Sequence, residues 1–309
     1  MRKLSISILA VVFAVIAMGA TTYAWFTITN EAKINQFEVQ VTAGVGFEIA
    51  VTELSGTPTV WKSTVTKSEV EALISPAMTL TDLTTTDGLA FFPIKQIGVD
   101  VDGTEDYKYG TQALPGSGYV EFEVHFRSRK MGAVNLDMSV TNIDSVGKTM
   151  AAGVPFTEAL TGGDTFSETG SITAYAMNAA RMAFINDTVP AANVILEKAA
   201  AAANVVGALD NTEGLGLDFT KGALAYYVSK NAIETSGMAI TQPTQTTQKF
   251  GDAAYATPIL NIAGTADADG WYTGKVTVRI WIEGWDAECL NVIFSDTLKC
   301  DIKFDYTPA

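Results

Sequence analysis

One residue bounds the chemistry open to this chain. His125 is the only histidine among 309 residues. His-based zinc sites, zincin helices and Ser–His–Asp relays each need histidine, and most need more than one. The sequence contains no HExxH, no GxSxG and no Walker loop. His125 sits in "YVEFEVHF" among alternating glutamates, which predicts a solvated position on a strand face. Paired carboxylates exist here as in any acidic chain, but no spacing orders them for acid–base work. The reading is non-enzymatic, with no catalytic residue assigned.

Two acidic loops carry hard oxygen ligands. "DVDGTED" holds Asp100, Asp102, Glu105 and Asp106, and "DADG" holds Asp267 and Asp269. Acidic side chains at alternate positions around a glycine suit Ca2+. The first loop is the candidate calcium site and the second a poorer one. Hairpin turns favour the same residues, and neither loop has full EF-hand spacing. No other cofactor is expected. Cys289 and Cys300 are the two cysteines. They form either a disulfide, worth about 3 kcal/mol for so short a loop, or a pair of buried thiols. Near the C-terminus Trp271, Tyr272, Trp281, Trp285 and Phe294 cluster in sequence. They read as a core and its rim, with a sugar-binding platform as the competing reading.

The elements that must position these residues begin after a leader. Arg2 and Lys3 precede an apolar run from Leu4 to Ala20, and Thr22-Tyr23-Ala24 supplies small residues for a cut after Ala24. That is a secretory signal layout; as an uncleaved anchor it would be short. The chain has 34 acidic and 20 basic residues, net −14. Both leader cations depart on cleavage, so the exported chain is more acidic still. Such a surface repels nucleic acid and anionic membranes. Hydrophobic residues make up 48%, enough for a sizeable core.

Downstream the dominant period is two. Phe37, Val39 and Val41 share a face in "INQFEVQV", and Phe47, Ile49 and Val51 in "VGFEIAV". "YVEFEVHF" turns Val120, Phe122, Val124 and Phe126 inward. The pattern continues through Val134, Leu136, Met138 and Val140, and returns in "KVTVRIWIEGW" and "LKCDIKFDY". Short strands between Gly, Pro, Asp and Thr clusters predict a mainly all-β sandwich or jelly roll. "KSEVEALI", Lys67 to Ile74, predicts a short helix capped by Ser68 with Glu71 three residues on. Residues 143–270 read as an Ala-rich, helix-containing insertion into a single domain spanning 25–309. Within it, Asn193 to Val206 favours helix, and Ser171 to Asp187 is either a core strand or an Ala-rich helix.

The apolar run ending in "TTYAWFT", followed directly by an alternating segment, resembles exported proteins of the TasA/camelysin family. These are cell-surface and biofilm-matrix proteins of Gram-positive bacteria. The resemblance is strongest over Met1 to Val51. "GYVEFEVHF" and "VTVRIWIEGWDAECLNVIF" resemble a related set of Firmicutes surface proteins with the same opening. The resemblance implies a jelly-roll sandwich and processing by a dedicated, SipW-type signal peptidase. In fibre-forming members it also implies a mature N-terminal segment that pairs with the neighbouring subunit. The assembly strand here would be Trp25, Phe26 and Ile28, released by cleavage, with Ile34, Phe37, Val39 and Val41 behind them. Strand addition of this head-to-tail kind does not close and yields filaments. The same strand packed within its own sandwich needs identical alternation, so both readings stay open. A metalloprotease activity described for some relatives is not carried over, given one histidine and no metal motif.

The expectation is therefore a secreted surface or matrix protein whose partners are its own copies and, during export, the signal peptidase. Nucleic acid is not a partner, and the membrane is met only through an uncleaved leader. The alternative is a monomeric, wall-associated module that holds glycan or calcium.

Overall fold

A computed structural model describes residues 36–74, 79–99, 105–109, 111–114, 116–150, 172–198, 246–284, 286, 289 and 291–309. The expected leader, the expected cut after Ala24 and Trp25, Phe26, Ile28 and Ile34 lie outside the described residues, as do Asp100, Asp102 and Trp285. Among the described residues no helix is long and apolar enough to cross a membrane.

The first strands are β1 (Gln36–Ala43), β2 (Glu48–Thr52), β3 (Thr64–Val65), β4 (Thr79–Leu80), β5 (Asp82–Thr84), β6 (Phe92–Val99) and β7 (Glu105–Tyr109). The middle of the chain supplies β8 (Ser117–Gly118), β9 (Val120–Ser128), β10 (Gly132–Leu136), β11 (Asn142–Ser145), β12 (Lys148–Met150) and β13 (Ile172–Ala174). The rest are β14 (Ala180–Ile185), β15 (Val194–Glu197), β16 (Gln248–Lys249), β17 (Leu260–Ile262), β18 (Tyr272–Glu283) and β19 (Thr297–Pro308). Two helices accompany them, α1 (Lys67–Ile74) and the four-residue α2 (Ala176–Ala179).

The long strands build two sheets. In the first, β19 is the spine. β1 runs parallel along one flank, from Gln36 opposite Thr297 to Ala43 opposite Phe304. β10 and β11 pair antiparallel on the other flank, β17 lies outside β10, and β3 lies outside β1. The second sheet centres on β18, with β14, β15 and β16 on one side and β9 and β2 on the other. β5, β6 and β7 continue from the C-terminal end of β18.

The inward alternation of both sheets makes one core. Val39, Val41, Phe122, Val124, Val278, Ile280, Leu298 and Ile302 are all buried within it. Phe304 of β19 meets Phe126 of β9 edge-on at 4.9 Å and Phe184 of β14 at 5.9 Å. The apolar positions predicted to face inward on β9, β18 and β19 are buried, but the opposite face is not uniformly exposed: Glu123 on β9 and Thr277, Trp281 and Glu283 on β18 are buried as well. The run Val134, Leu136 and Met138 is buried too, but β10 stops at Leu136, Asp137 accepts the Ser139 amide in a turn, and Val140 is exposed.

A second, smaller core lies on the outer face of the second sheet. Trp281, Ala183, Ile185 and Ile195 are covered there by Leu83, Phe91 and Tyr119. Phe91 stacks on Tyr119 at 4.2 Å and meets Trp281 at 5.1 Å. Gly88 lets this cover lie close, because it holds a φ of +75° and a Cβ there would stand 3.2 Å from the Ala183 Cβ.

The central region departs from expectation. Within 143–270, β17 and most of β11 join the first sheet, and β14, β15 and β16 join the second. From Ile172 to Ile185 the chain is strand, one helical turn, then strand, and Val194–Glu197 is β15 rather than helix, while residues 199–206 of that expected helix lie outside the described residues. The helix Lys67–Ile74 forms, but its capping pair is Thr66 and Glu69, not Ser68 and Glu71. The Glu69 carboxylate accepts from the Thr66 amide at 3.0 Å and from its hydroxyl at 2.9 Å. Val70 then enters the core beside β1.

Candidate functional site

With Val120, Phe122, Val124 and Phe126 committed to the core, β9 turns Glu121, Glu123, His125 and Arg127 onto the uncovered half of the second sheet's outer face. Each meets a partner on a neighbouring strand. Glu121 pairs with Arg279, which also donates to the Gly88 carbonyl at 2.7 Å. Glu123 pairs with Lys275 at 2.5 Å. Arg127 holds Glu48 of β2 through Nε at 2.6 Å and Nη2 at 2.5 Å. The result is a polar ladder across β2, β9 and β18.

His125 is not the solvated residue the alternation predicts. Its side chain is only 12% exposed. Nε2 lies 2.9 Å from Thr52 Oγ1 and 3.2 Å from Glu123 Oε2. Burial holds its pKa below the usual histidine value. Hydroxyl, imidazole and carboxylate do meet here, but the acid and the hydroxyl share one ring nitrogen. A nucleophile relay needs the acid on the other nitrogen. The arrangement works instead as a strap tying edge strand β2 to β9. Beside β2 a groove of about 470 Å³ opens towards α1, lined by Thr52, Val60, Lys62, Glu69 and Leu73.

At the end of the ladder stands a stack of aromatic rings and guanidinium groups. The Arg127 guanidinium lies 4.7 Å from the centre of the Trp61 ring and 4.3 Å from that of Trp271. Arg129 lies over Trp271 at 3.7 Å. The "DADG" loop proves to be the turn that presents Trp271. Asp267 Oδ1 accepts the amides of Asp269 at 3.0 Å and Trp271 at 2.8 Å, and Gly270 takes a φ of +78°. Arg129 donates to the Asp269 carbonyl across the turn. Asp267 is thus occupied by backbone donors, the chemistry of a turn rather than of a cation ligand.

The remaining predicted residues scatter. Glu105 and Asp106 belong to β7, backbone-paired with Val99 and Gly98. Phe37, Val39 and Val41 pair with Leu298, Cys300 and Ile302 of their own chain. Val39 and Val41 are 1% and 0% exposed, so the assembly strand is corrected at its C-terminal end: these two valines serve the chain's own core. The aromatic cluster divides, with Trp281 in the outer core, Phe294 in the main core, and Trp271 and Tyr272 at the opposite end of β18. Cys289 and Cys300 are free thiols, not a disulfide. Cys300 is buried on β19, whereas Cys289 follows a turn with its amide on the Asp286 carbonyl. Burial raises the pKa of both.

Sequence reasoning missed two features. One is the Trp61–Arg127–Trp271–Arg129 stack. Its signal is "FRSRK", two arginines of equal strand parity in a chain with excess acid. The other is a buried ionic knot. The Arg181 guanidinium lies 2.8 Å from Glu197 and 2.5 Å from Asp286, with all three side chains at most 3% exposed. Lys249 and the Thr247 hydroxyl complete Glu197. Nearby, burial and then the Glu283 charge push Asp82 up to about 8. Among the described residues no group of three or more His, Cys, Asp or Glu side chains is arranged to hold a metal ion. Compared with protein-family models, curated proteins and solved structures, the chain matches none.

Proposed function

We propose that this is an exported, non-enzymatic surface or matrix protein of the TasA/camelysin type, a jelly roll that polymerises head to tail by strand addition. The donor is the segment Trp25 to Ile34, shorter at its C-terminal end than the alternation alone suggests. The observation that carries the reading is the outer flank of β1. β3 reaches only Val41 and Thr42. Among the described residues, Gln36 to Gln40 therefore have no strand on that side, and Gln40 is exposed. An unpaired row of N–H and C=O groups is a template for another strand.

The donor leads directly into β1, so every copy carries a donor and an acceptor side by side. A contact between unlike surfaces propagates instead of closing. Until the leader is cut, the donor stays tethered, which restricts assembly to the exported chain. The test is negative-stain electron microscopy of the chain beginning at Trp25, beside the same chain lacking Trp25 to Asn30. Filaments from the first and folded monomers from the second are expected. Filaments from both, or monomers from both, would refute the proposal.

A further inference from the structure

We infer that the Trp61–Arg127–Trp271–Arg129 stack is a binding site for acidic sugar residues, carboxylated glycans of the uronate class. This inference is independent of filament formation. Among the described residues, Lys62, Lys67, Arg127, Arg181, Lys249, Lys275, Arg279 and Lys303 each sit against a carboxylate. Arg129 and Lys130 are exposed neighbours with no carboxylate partner among the described residues, in a chain of net −14. Two adjacent uncompensated cations on so acidic a protein are a local attraction for an anion.

The stack also fixes their setting. Glu48 takes Nε and Nη2 of Arg127, so this guanidinium serves as a neutralised spacer between the two indoles. Arg129 spends Nη1 on the Asp269 carbonyl, which pins its plane over Trp271 and leaves its other donors for a ligand. A guanidinium held flat presents a carboxylate-matched edge with little ordering left to lose on binding. Trp61 is stacked by Arg127 alone among the described residues and stays partly exposed. The two ends of the stack suit an oligomer of such sugars: one pyranose packs its C–H face on Trp61 while the carboxylate of another residue meets Arg129. A bare inorganic anion would make no use of the indole.

The experiment titrates the exported chain with trigalacturonate, its methyl ester and tripolyphosphate, read by tryptophan fluorescence. Saturable quenching by trigalacturonate is expected. The Arg129→Ala/Lys130→Ala variant should weaken it by at least about tenfold, roughly one charge-assisted contact, with an unchanged melting temperature. Trp61→Ala should weaken it too, and the ester should bind no better than the double variant. No binding at about 10 mM, equal binding of the ester, or indifference to either variant would overturn the site. Tripolyphosphate binding without trigalacturonate binding would overturn the assignment to a sugar.

Discussion

A chain shortened to begin at Gln36 should fold as the parent does, and one beginning at Gly44 should not. The difference between them is β1. Its eight residues pair in register with β19, and it contributes Val39 and Val41 at 1% and 0% exposure. Burying a valine side chain stabilises by about 1.5–3 kcal/mol, so the two valines together hold roughly 3–6 kcal/mol. Whole domains are stable by only about 5–15 kcal/mol. Removal of β1 also strips the hydrogen-bonding partner from β19 between Leu298 and Phe304, in the middle of the first sheet. Leaving buried backbone groups unpaired adds about 1–3 kcal/mol each. The Gly44 chain should therefore lose its cooperative melt, followed by far-UV circular dichroism. Val41→Ala should cost about 2 kcal/mol, lowering the melting temperature by about 4–8 °C. If the Gly44 chain melted within about 2 °C of the parent, β1 would be dispensable to the sandwich. The separation of scaffold strand from free donor would then be wrong.

The buried knot should be equally unforgiving. Arg181→Ala leaves Glu197 and Asp286 buried without their cation and should cost about 3–5 kcal/mol in urea unfolding. Arg181→Met combined with Glu197→Gln and Asp286→Asn should recover most of that loss. Asp82 has a pKa raised to about 8 against 3.8 when free, so the folded state holds a proton that the unfolded state releases. Its stabilising contribution is complete below pH 3.8 and is lost as pH rises through about 8. Asp82→Asn should flatten the alkaline limb of a melting-temperature profile. His125 has a lowered pKa, so its contribution is fully present above pH 6.5 and falls as pH drops below that value. Its ring, facing Glu123, Lys275 and Thr52, should titrate by NMR below the free-histidine range. Both cysteines should resist alkylation in the native chain and react as two thiols in urea.

Legibility in the sequence followed the physics of each signal. Where one face of a strand is buried and the other is polar, period two is unambiguous, and Val120 to Phe126 and Leu298 to Phe304 could be read directly. The signal failed where both faces are buried. β14 carries six consecutive buried residues, ARMAFI, because the main core takes one face and the Phe91–Trp281 core the other. Such a run has no alternation to separate it from an Ala-rich helix. The cap of α1 was misplaced by two residues because two Ser/Thr-x-x-Glu frames overlap; the pairing of Lys62 with Glu69 lies outside any local pattern. The stack was invisible for another reason. Trp61, Arg127 and Trp271 are distant in sequence and meet only because β9 pairs with β2 and β18 while Lys62, next to Trp61, bridges to Ile49 of β2.

That second sheet explains why the chain can carry a binding surface at all. An outer sheet face must be covered or made polar, and this protein does one on each half. Over β14 and the far end of β18 it lays an apolar cover, and the ion pair of Arg279 with Glu121 stands at the border, its guanidinium also holding the Gly88 carbonyl. Beyond that border β9 and β2 carry charge, but in compensated pairs: Glu123 with Lys275, Glu48 with Arg127. Compensation keeps the face soluble without leaving an unpaired charge to draw ligands along its length. It ends at Arg129 and Lys130, one step past the last pair. Stacking of the half-buried Arg127 against two indoles is what lets the ladder stop there without fraying, since its charge is answered by Glu48 and its faces by Trp61 and Trp271. On this face of the second sheet, among the described residues, the unanswered cations thus stand at one corner, after rings already held in place.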